Sequence, residues 1–262
     1  EEALDVRGRP RPDVTTAFGA RAAFSHIDGD GQANGVQDVP GDWELASEVV
    51  LEEILIPYPV PVTVGLVVAE VDTKALGKPE HMPLWKRILS QPNVQPSVHG
   101  YTHPLNWYAG ECAFEVPGYT FDPHMETIGA VKLVERQVLE KPGAIGIYLW
   151  TGDCRPREKT VALVEEAGIL NMNGGDPRYD AGHDSVTGIP GLTRTVGKQM
   201  QVYAAASNEY LYTNGWTANY GGFRHVIDTF ERTESPVRYL PVNIYYHFYS
   251  GERQAGLAAL KN

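Results

Sequence analysis

Two aspartates, three histidines and an arginine stand where this chain could do hydrolytic chemistry. Asp28 and Asp30 fall in Ser25-His26-Ile27-Asp28-Gly29-Asp30-Gly31, directly after the apolar stretch at 22–24. His99 and His103 bound the run His-Gly-Tyr-Thr-His, after a segment ending in Ser97-Val98. Arg155 follows the apolar run 144–150, and His247 follows the run 241–246. Polar groups at the exits of successive buried strands are where barrel enzymes keep their active sites. Two carboxylates with imidazoles at metal-ligand spacing suggest metal-assisted hydrolysis.

The spacing supports this in detail. Asp28 and Asp30 are two apart, so on a strand exit both can face one side, while Gly29 and Gly31 let the backbone bend close to a bound group. Two carboxylates in one pocket repel each other unless something positive shares it. A metal ion held by one leaves the other free as a base. The bland alternative is a surface turn, since Asp and Gly are turn formers. His99 and His103 stand at i, i+4, which on a helical turn aims both imidazoles at one ion. With Asp30 they make a set of one carboxylate and two imidazoles, suited to zinc first and also to cobalt or nickel.

Seven segments read as strands: 21–27, 61–71, 95–100, 144–151, 169–173, 199–205 and 239–248. Several are short continuous apolar runs, as expected of parallel strands covered on both faces. Helical periodicity lies between many of them, at 43–55, 84–89, 126–139 and 157–167. The pattern is clearest in 126–139, where Ile128, Val131, Val134, Val138 and Leu139 share one side and Lys141-Pro142-Gly143 ends the run. Strand alternating with helix predicts a parallel sheet with right-handed crossovers. Seven strands in this length favour a closed or nearly closed (β/α) barrel. The Gly- and Asn-rich stretches 171–188 and 207–222 read as long loops.

Composition narrows the classes further. The chain has 262 residues, 42% of them hydrophobic, enough for one full-sized domain over 1–262. It opens on Glu1-Glu2 with no basic-then-apolar leader, and so reads as a mature chain or as a domain excised from a longer protein. No apolar run reaches the ~20 residues that span a bilayer. The net charge of −11 argues against a nucleic-acid partner. That acidity serves solubility, or it attracts a cationic polymer such as a partly deacetylated amino sugar; composition does not separate the two. Cys112 and Cys154 form no C-x-x-C pair, and they can be a disulfide or two free thiols. There is no glycine-rich nucleotide loop.

The ordered series Asp28-Gly-Asp30, His99-x-x-x-His103, Arg155-Pro156 and Tyr245-Tyr246-His247 resembles the motif series of NodB-type polysaccharide deacetylases. Within that family, four segments are similar to the branch that includes the deacetylase domain of the Pel exopolysaccharide assembly protein. They are 25–31, 149–156, 171–176 and 244–249. The resemblance spans roughly residue 20 to the C-terminus. It implies an irregular seven-stranded (β/α) barrel of the polysaccharide deacetylase type, a divalent metal, and removal of N-acetyl groups from an N-acetylhexosamine exopolysaccharide.

Residue by residue, the resemblance implies Asp28 as general base and Asp30, His99 and His103 as metal ligands. It implies that Arg155 holds Asp28 and that His247 is the general acid. The first motif is Asp-Gly-Asp where most of the family has adjacent aspartates, and the family's Asp-x-x-Asp-Trp motif is unmatched, with Asp176 as stand-in. Tyr245 takes the place of a leucine that shapes the acetyl-methyl pocket. Trp216 and Tyr220, in the glycine-rich loop, are candidates to stack on sugar rings, whereas Trp107 and Trp150 are as readily core residues. Asp153 either orients a histidine or caps a turn, and His81, His124, His183 and His225 read as surface histidines.

The resemblance also implies a polysaccharide substrate, other exopolysaccharide assembly proteins as partners, and a periplasmic or otherwise extracytoplasmic site of action. Two rivals stand beside it. A glycoside hydrolase would use Asp28 and a second carboxylate, but leaves His99 and His103 idle. A non-catalytic carbohydrate-binding module would keep the fold without needing base, ligands and acid together.

Overall fold

A computed structural model describes residues 20–173, 179–186, 193–202, 223, 226–235, 238 and 240–262, with the backbone alone at 16–17 and 207–208. Among the described residues the central sheet has nine strands. In chain order they are β1 (Ala23–Asp28), β2 (Val62–Leu66), β3 (Val94–Val98), β4 (Ile147–Leu149), β5 (Leu170–Met172), β6 (Thr193–Val196), β7 (Gln199–Val202), β8 (Ser207–Asn208) and β9 (Val242–His247). Their order across the sheet is β6-β7-β5-β4-β3-β2-β1-β9-β8. Every neighbouring pair is parallel except β6 with β7.

All seven expected segments form strands in this sheet, so the parallel α/β reading holds. The count of seven does not. Thr193–Val196 adds an antiparallel edge and Ser207–Asn208 adds a short parallel one. Both lie in polar sequence with no apolar run to mark them. Among the described residues the two ends of the sheet do not pair, so it curls without closing.

The expected helices also form. They are α1 (Ala46–Val50), which runs on into a π-helical turn at Leu51–Leu55, α2 (Met82–Leu89), α3 (Ala130–Gln137) after a π-turn at Met125–Gly129, and α4 (Glu158–Glu166). Two more follow, α5 (Val226–Arg232) and α6 (Gln254–Lys261). Ile128, Val131, Val134 and Val138 are buried as their spacing requires, and each contributes about 1.5–3 kcal/mol by leaving water. The buried core joins this stripe to Val64, Leu66, Val98, Tyr148 and Trp85. All five residues of β2 are buried, which accounts for its lack of polar alternation.

A parallel sheet sends every carboxyl end to the same edge. Asp28 ends β1 and His247 ends β9, while His99 follows β3 and Asn173 follows β5. That edge carries the candidate site. Among the described residues, no helix is long and apolar enough to cross a membrane.

Candidate active site

The register of β1 with β9 pairs His26 with Tyr245 and Asp28 with His247. Alternation along each strand then puts all four side chains on one face. Just past β1, the chain folds tightly under Asp30. A Cβ on Gly29 would stand 2.7 Å from Val67 N and 2.9 Å from Gly65 O, so no larger residue fits. The buried Gln32 amide clamps this turn to β2, donating to Val67 O at 2.9 Å and accepting from Val67 N at 3.1 Å.

His99 and His103 converge without the expected helical turn. Gly100 and His103 both have positive φ, 76° and 55°, so the segment is an irregular bend. A Cβ on Gly100 would meet Pro104 Cδ at 3.0 Å and Glu126 Oε2 at 3.2 Å. The left-handed backbone at His103 is a strained conformation for a residue with a side chain. Glu126 holds the bend in place. It is fully buried and accepts from Tyr101 N at 2.7 Å, Thr102 N at 2.9 Å and the Tyr119 hydroxyl at 2.8 Å.

The result is a compact cluster. His103 Nε2 lies 3.1 Å from Asp30 Oδ1, and His99 Nε2 lies 3.3 Å from Asp30 Oδ2 and 3.4 Å from Asp28 Oδ2. His99 bonds through Nδ1 to Leu149 O at 3.1 Å, which turns Nε2 toward the carboxylates. His247 Nε2 is 4.0 Å from Asp28 Oδ2 and 3.9 Å from Asp30 Oδ2. Ligand atoms of Asp30, His99 and His103 all lie within 4.8 Å of one another, and so do those of Asp28, Asp30 and His247.

The donor chemistry of the first set fits a divalent ion. One carboxylate and two imidazoles is a zinc-type set, and Asp30 Oδ2 is buried with no hydrogen bond. Asp28 is already engaged. Its Oδ2 accepts from Asn173 Nδ2 at 2.7 Å and from the Tyr245 hydroxyl at 2.7 Å, while its buried Oδ1 has no hydrogen bond.

Electrostatics follow from this crowding. Burial works to raise the Asp30 carboxyl, but the His103 and His99 imidazoles outweigh it and hold it far below the usual carboxylate range. Burial opposes charge on His99, yet Asp28 and Asp30 raise its pKa overall. Burial, reinforced by Asp30, pushes Glu70 up to about 7. Burial and the Asp28 carboxylate push the Tyr245 phenol well up, so it keeps its proton.

The structure therefore brings Asp28, Asp30, His99, His103, Tyr245 and His247 together. It does not bring Arg155. That side chain is exposed, and its backbone N–H donates to Asp153 Oδ1 at 3.0 Å in a turn. The group holding Asp28, expected to be Arg155, is instead the pair Asn173 and Tyr245. Asp176, Trp216 and Tyr220 lie outside the described residues. Asp153 is a turn residue, and Trp107 and Trp150 are core. Cys112 and Cys154 are free thiols. His81 is buried against Glu44 at 3.3 Å rather than on the surface.

Asn173 and Glu126 went unrecognised as parts of the site. Asn173 did carry a signal, because it directly follows an apolar strand as Asp28 and His99 do. Glu126 carried none, since a glutamate opening a helix is ordinarily solvated.

No family model matches the chain, and no curated protein matches it. Solved structures do resemble it. One is described as a wild-type CE4 family pseudoenzyme from Bacillus anthracis, 11% identical with a TM-score of 0.48; the match covers 91% of this chain and 57% of that one. Another is a peptidoglycan N-acetylglucosamine deacetylase in complex with a naphthalenyl N-oxidanyl-benzamide, 12% identical with a TM-score of 0.49, covering 92% of this chain and 78% of that one. A third is a 4-alpha-glucanotransferase from Thermococcus litoralis, 14% identical with a TM-score of 0.48, covering 91% of this chain and 35% of that one. At such identities and scores these likenesses assign neither a family nor an activity.

Proposed function

We propose that this chain is a metal-dependent polysaccharide N-deacetylase acting on an N-acetylhexosamine exopolymer of the Pel type. The observation that supports it best is the division of labour between two neighbouring carboxylates. Asp30 presents one oxygen to each of two imidazoles, Oδ1 to His103 and Oδ2 to His99, whereas Asp28 is fixed through Oδ2 and presents Oδ1. One carboxylate is arranged to ligate and the other to accept a proton.

In this reading Asp30, His99 and His103 hold one divalent ion, zinc by preference. Such an ion lowers the pKa of a water and polarises the acetamide carbonyl. Asp28 Oδ1 takes the proton of the attacking water. An amine leaves poorly unless protonated, and His247, with a ring 3.9–4.0 Å from both carboxylates, supplies that proton near neutral pH. Water's oxygen joins the acyl carbon, the C–N bond breaks, and acetate and a free amino sugar result. Tyr245 and the loop aromatics Trp216 and Tyr220, with Asp176, are assigned to the substrate side.

We place the protein outside the cytoplasm, as one domain of a larger exopolysaccharide assembly protein with other assembly proteins as partners. Product analysis with N-acetylated hexosamine oligomers tests the activity. Released acetate that disappears on chelation supports it. Released sugar would indicate a glycoside hydrolase, and no product a binding module.

A further inference from the structure

Past the metal ligands, the chain carries an exposed aromatic ring. Pro104, next to His103, opens a hairpin of Pro104–Asn106 and Glu111–Cys112, and the turn between them holds Tyr108. This hairpin is fastened to the carboxyl edge of the central sheet. Ala113 N donates to His103 O at 2.9 Å, Asp153 N to Leu105 O at 2.9 Å, and the Trp107 indole N–H to Thr151 O at 3.1 Å. A Cβ on Gly152 would stand 2.5 Å from Leu105 Cα, so the hairpin lies directly on the turn that follows β4. Tyr108 thus shares the edge that carries Asp30, His99 and His103. It is five residues along the chain from His103, and so within roughly 18 Å of it.

The ring is held yet uncovered. At 71% exposure Tyr108 is the most exposed large apolar side chain among the described residues. Its turn is fixed by Asn106, whose Oδ1 accepts from Tyr108 N at 3.0 Å and Ala109 N at 2.9 Å, while Gly110 N donates to Asn106 O at 2.9 Å. The Arg157 guanidinium lies 3.7 Å from the centre of the Tyr108 ring and donates through Nη2 to Tyr108 O at 3.0 Å. A cation on the ring face is attractive, and here it steadies the ring from one side. With that face covered and most of the residue still exposed, the opposite face is the one open to solvent.

We propose that the open face of Tyr108, backed by Arg157, is a subsite that stacks a hexosamine ring of the polymer, next along the chain from the unit under attack. The ligand class rests on the polysaccharide reading given above. A pyranose carries C–H groups on its faces and hydroxyls around its rim, so it packs on an aromatic face while its polar groups stay in water. A polymer seated at the metal cluster has neighbouring units that extend past it, and binding energy gained on those units holds the reacting one in place. Because Arg157 already restrains the ring, stacking a sugar on it costs little further ordering.

Oligomer binding to the zinc-loaded full chain tests this, with Asp28→Asn present throughout so that no acetamide is consumed. The probes are oligomers of N-acetylglucosamine and of N-acetylgalactosamine, with Kd read by calorimetry. Adding Tyr108→Ala should raise Kd about 3–10-fold, whereas Tyr108→Phe, which keeps the ring, should leave it nearly unchanged. Zinc content should be the same in all three proteins. In proton NMR the Tyr108 ring signals, identified by their loss in Tyr108→Phe, should shift when oligomer is added. Ring signals that stay in place while the oligomer binds would overturn the subsite, however Tyr108→Ala behaves. So would an unchanged Kd in Tyr108→Ala, or a protein with Tyr108 intact that binds neither oligomer. Binding that depends on Tyr108, in a chain whose unsubstituted form releases no acetate, would sink the deacetylase reading and leave the subsite standing.

Discussion

His99 faces Asp30 because its other nitrogen is tied to the Leu149 carbonyl, with 3.1 Å on one side of the ring and 3.3 Å on the other. A main-chain oxygen at the end of β4 thus orients a side chain at the end of β3. The imidazole is aimed before any ion arrives.

That arrangement predicts one divalent ion per chain. Asp30→Asn, His99→Ala and His103→Ala should each abolish stoichiometric zinc, measured by elemental analysis after dialysis. Asp28→Asn should keep the zinc and lose acetate release. Loss of zinc in both Asp28→Asn and Asp30→Asn would favour the alternative set Asp28, Asp30 and His247, and retention of zinc in Asp30→Asn would rule out both sets.

His247 is predicted to matter in proportion to how badly the leaving group needs a proton. His247→Ala should cost on the order of 10²–10⁴-fold on an N-acetyl hexosamine oligomer. On an aryl acetate, which expels a stable anion, the loss should be far smaller. Equal losses would show that His247 only shapes the site.

Glu126 is predicted to act on the metal from a distance. Glu126→Ala would strip the acceptor from two buried backbone N–H groups, Tyr101 and Thr102. Urea unfolding should show a loss of about 2–4 kcal/mol. Zinc affinity should weaken about 10–100-fold as the His99–His103 bend relaxes. Wild-type affinity in this variant would mean that the bend holds its own shape.

Glu70 is predicted to make the metal-free fold less stable at higher pH. Its carboxyl, with an unpaired buried oxygen, is pushed from 4.5 up to about 7 by burial and Asp30. The folded state therefore binds the proton more tightly than the unfolded chain does. This contribution is fully present below about pH 4.5 and is lost as pH rises through about 7. The loss by pH 8 is on the order of 2–3 kcal/mol, and Glu70→Gln should flatten that part of the pH–stability curve. Bound zinc should also flatten it, by offsetting the charge of Asp30.

The strands were legible because parallel strands such as Val62–Leu66 are buried on both faces and mostly apolar, and the helix over 125–137 because Val131 and Val134 repeat at its period. Thr193–Val196 and Ser207–Asn208 were not, being short and polar. Asp28, Asp30, His99, His103 and His247 were legible as strand-exit residues. The same rule misled at Arg155, since sequence position at a strand exit does not say which way a side chain points. Asn173 and Tyr245 meet Asp28 across 145 and 217 residues of chain. Nothing local marks such a contact.

The pairing of β1 with β9 has a consequence for the timing of assembly. Asp28, Asp30, His99 and His103 have all been synthesised by residue 103, and Leu149, which aims His99, by residue 149, whereas Tyr245 and His247 follow about 100 residues after that. A nascent chain would thus own a potential metal cradle long before it owned a proton donor. The two activities should be separable by cutting the gene ahead of β9, with the shorter piece a zinc binder that turns nothing over. Supplying 242–262 as a separate peptide would then ask whether the last strand can complete the reaction centre after the rest has folded.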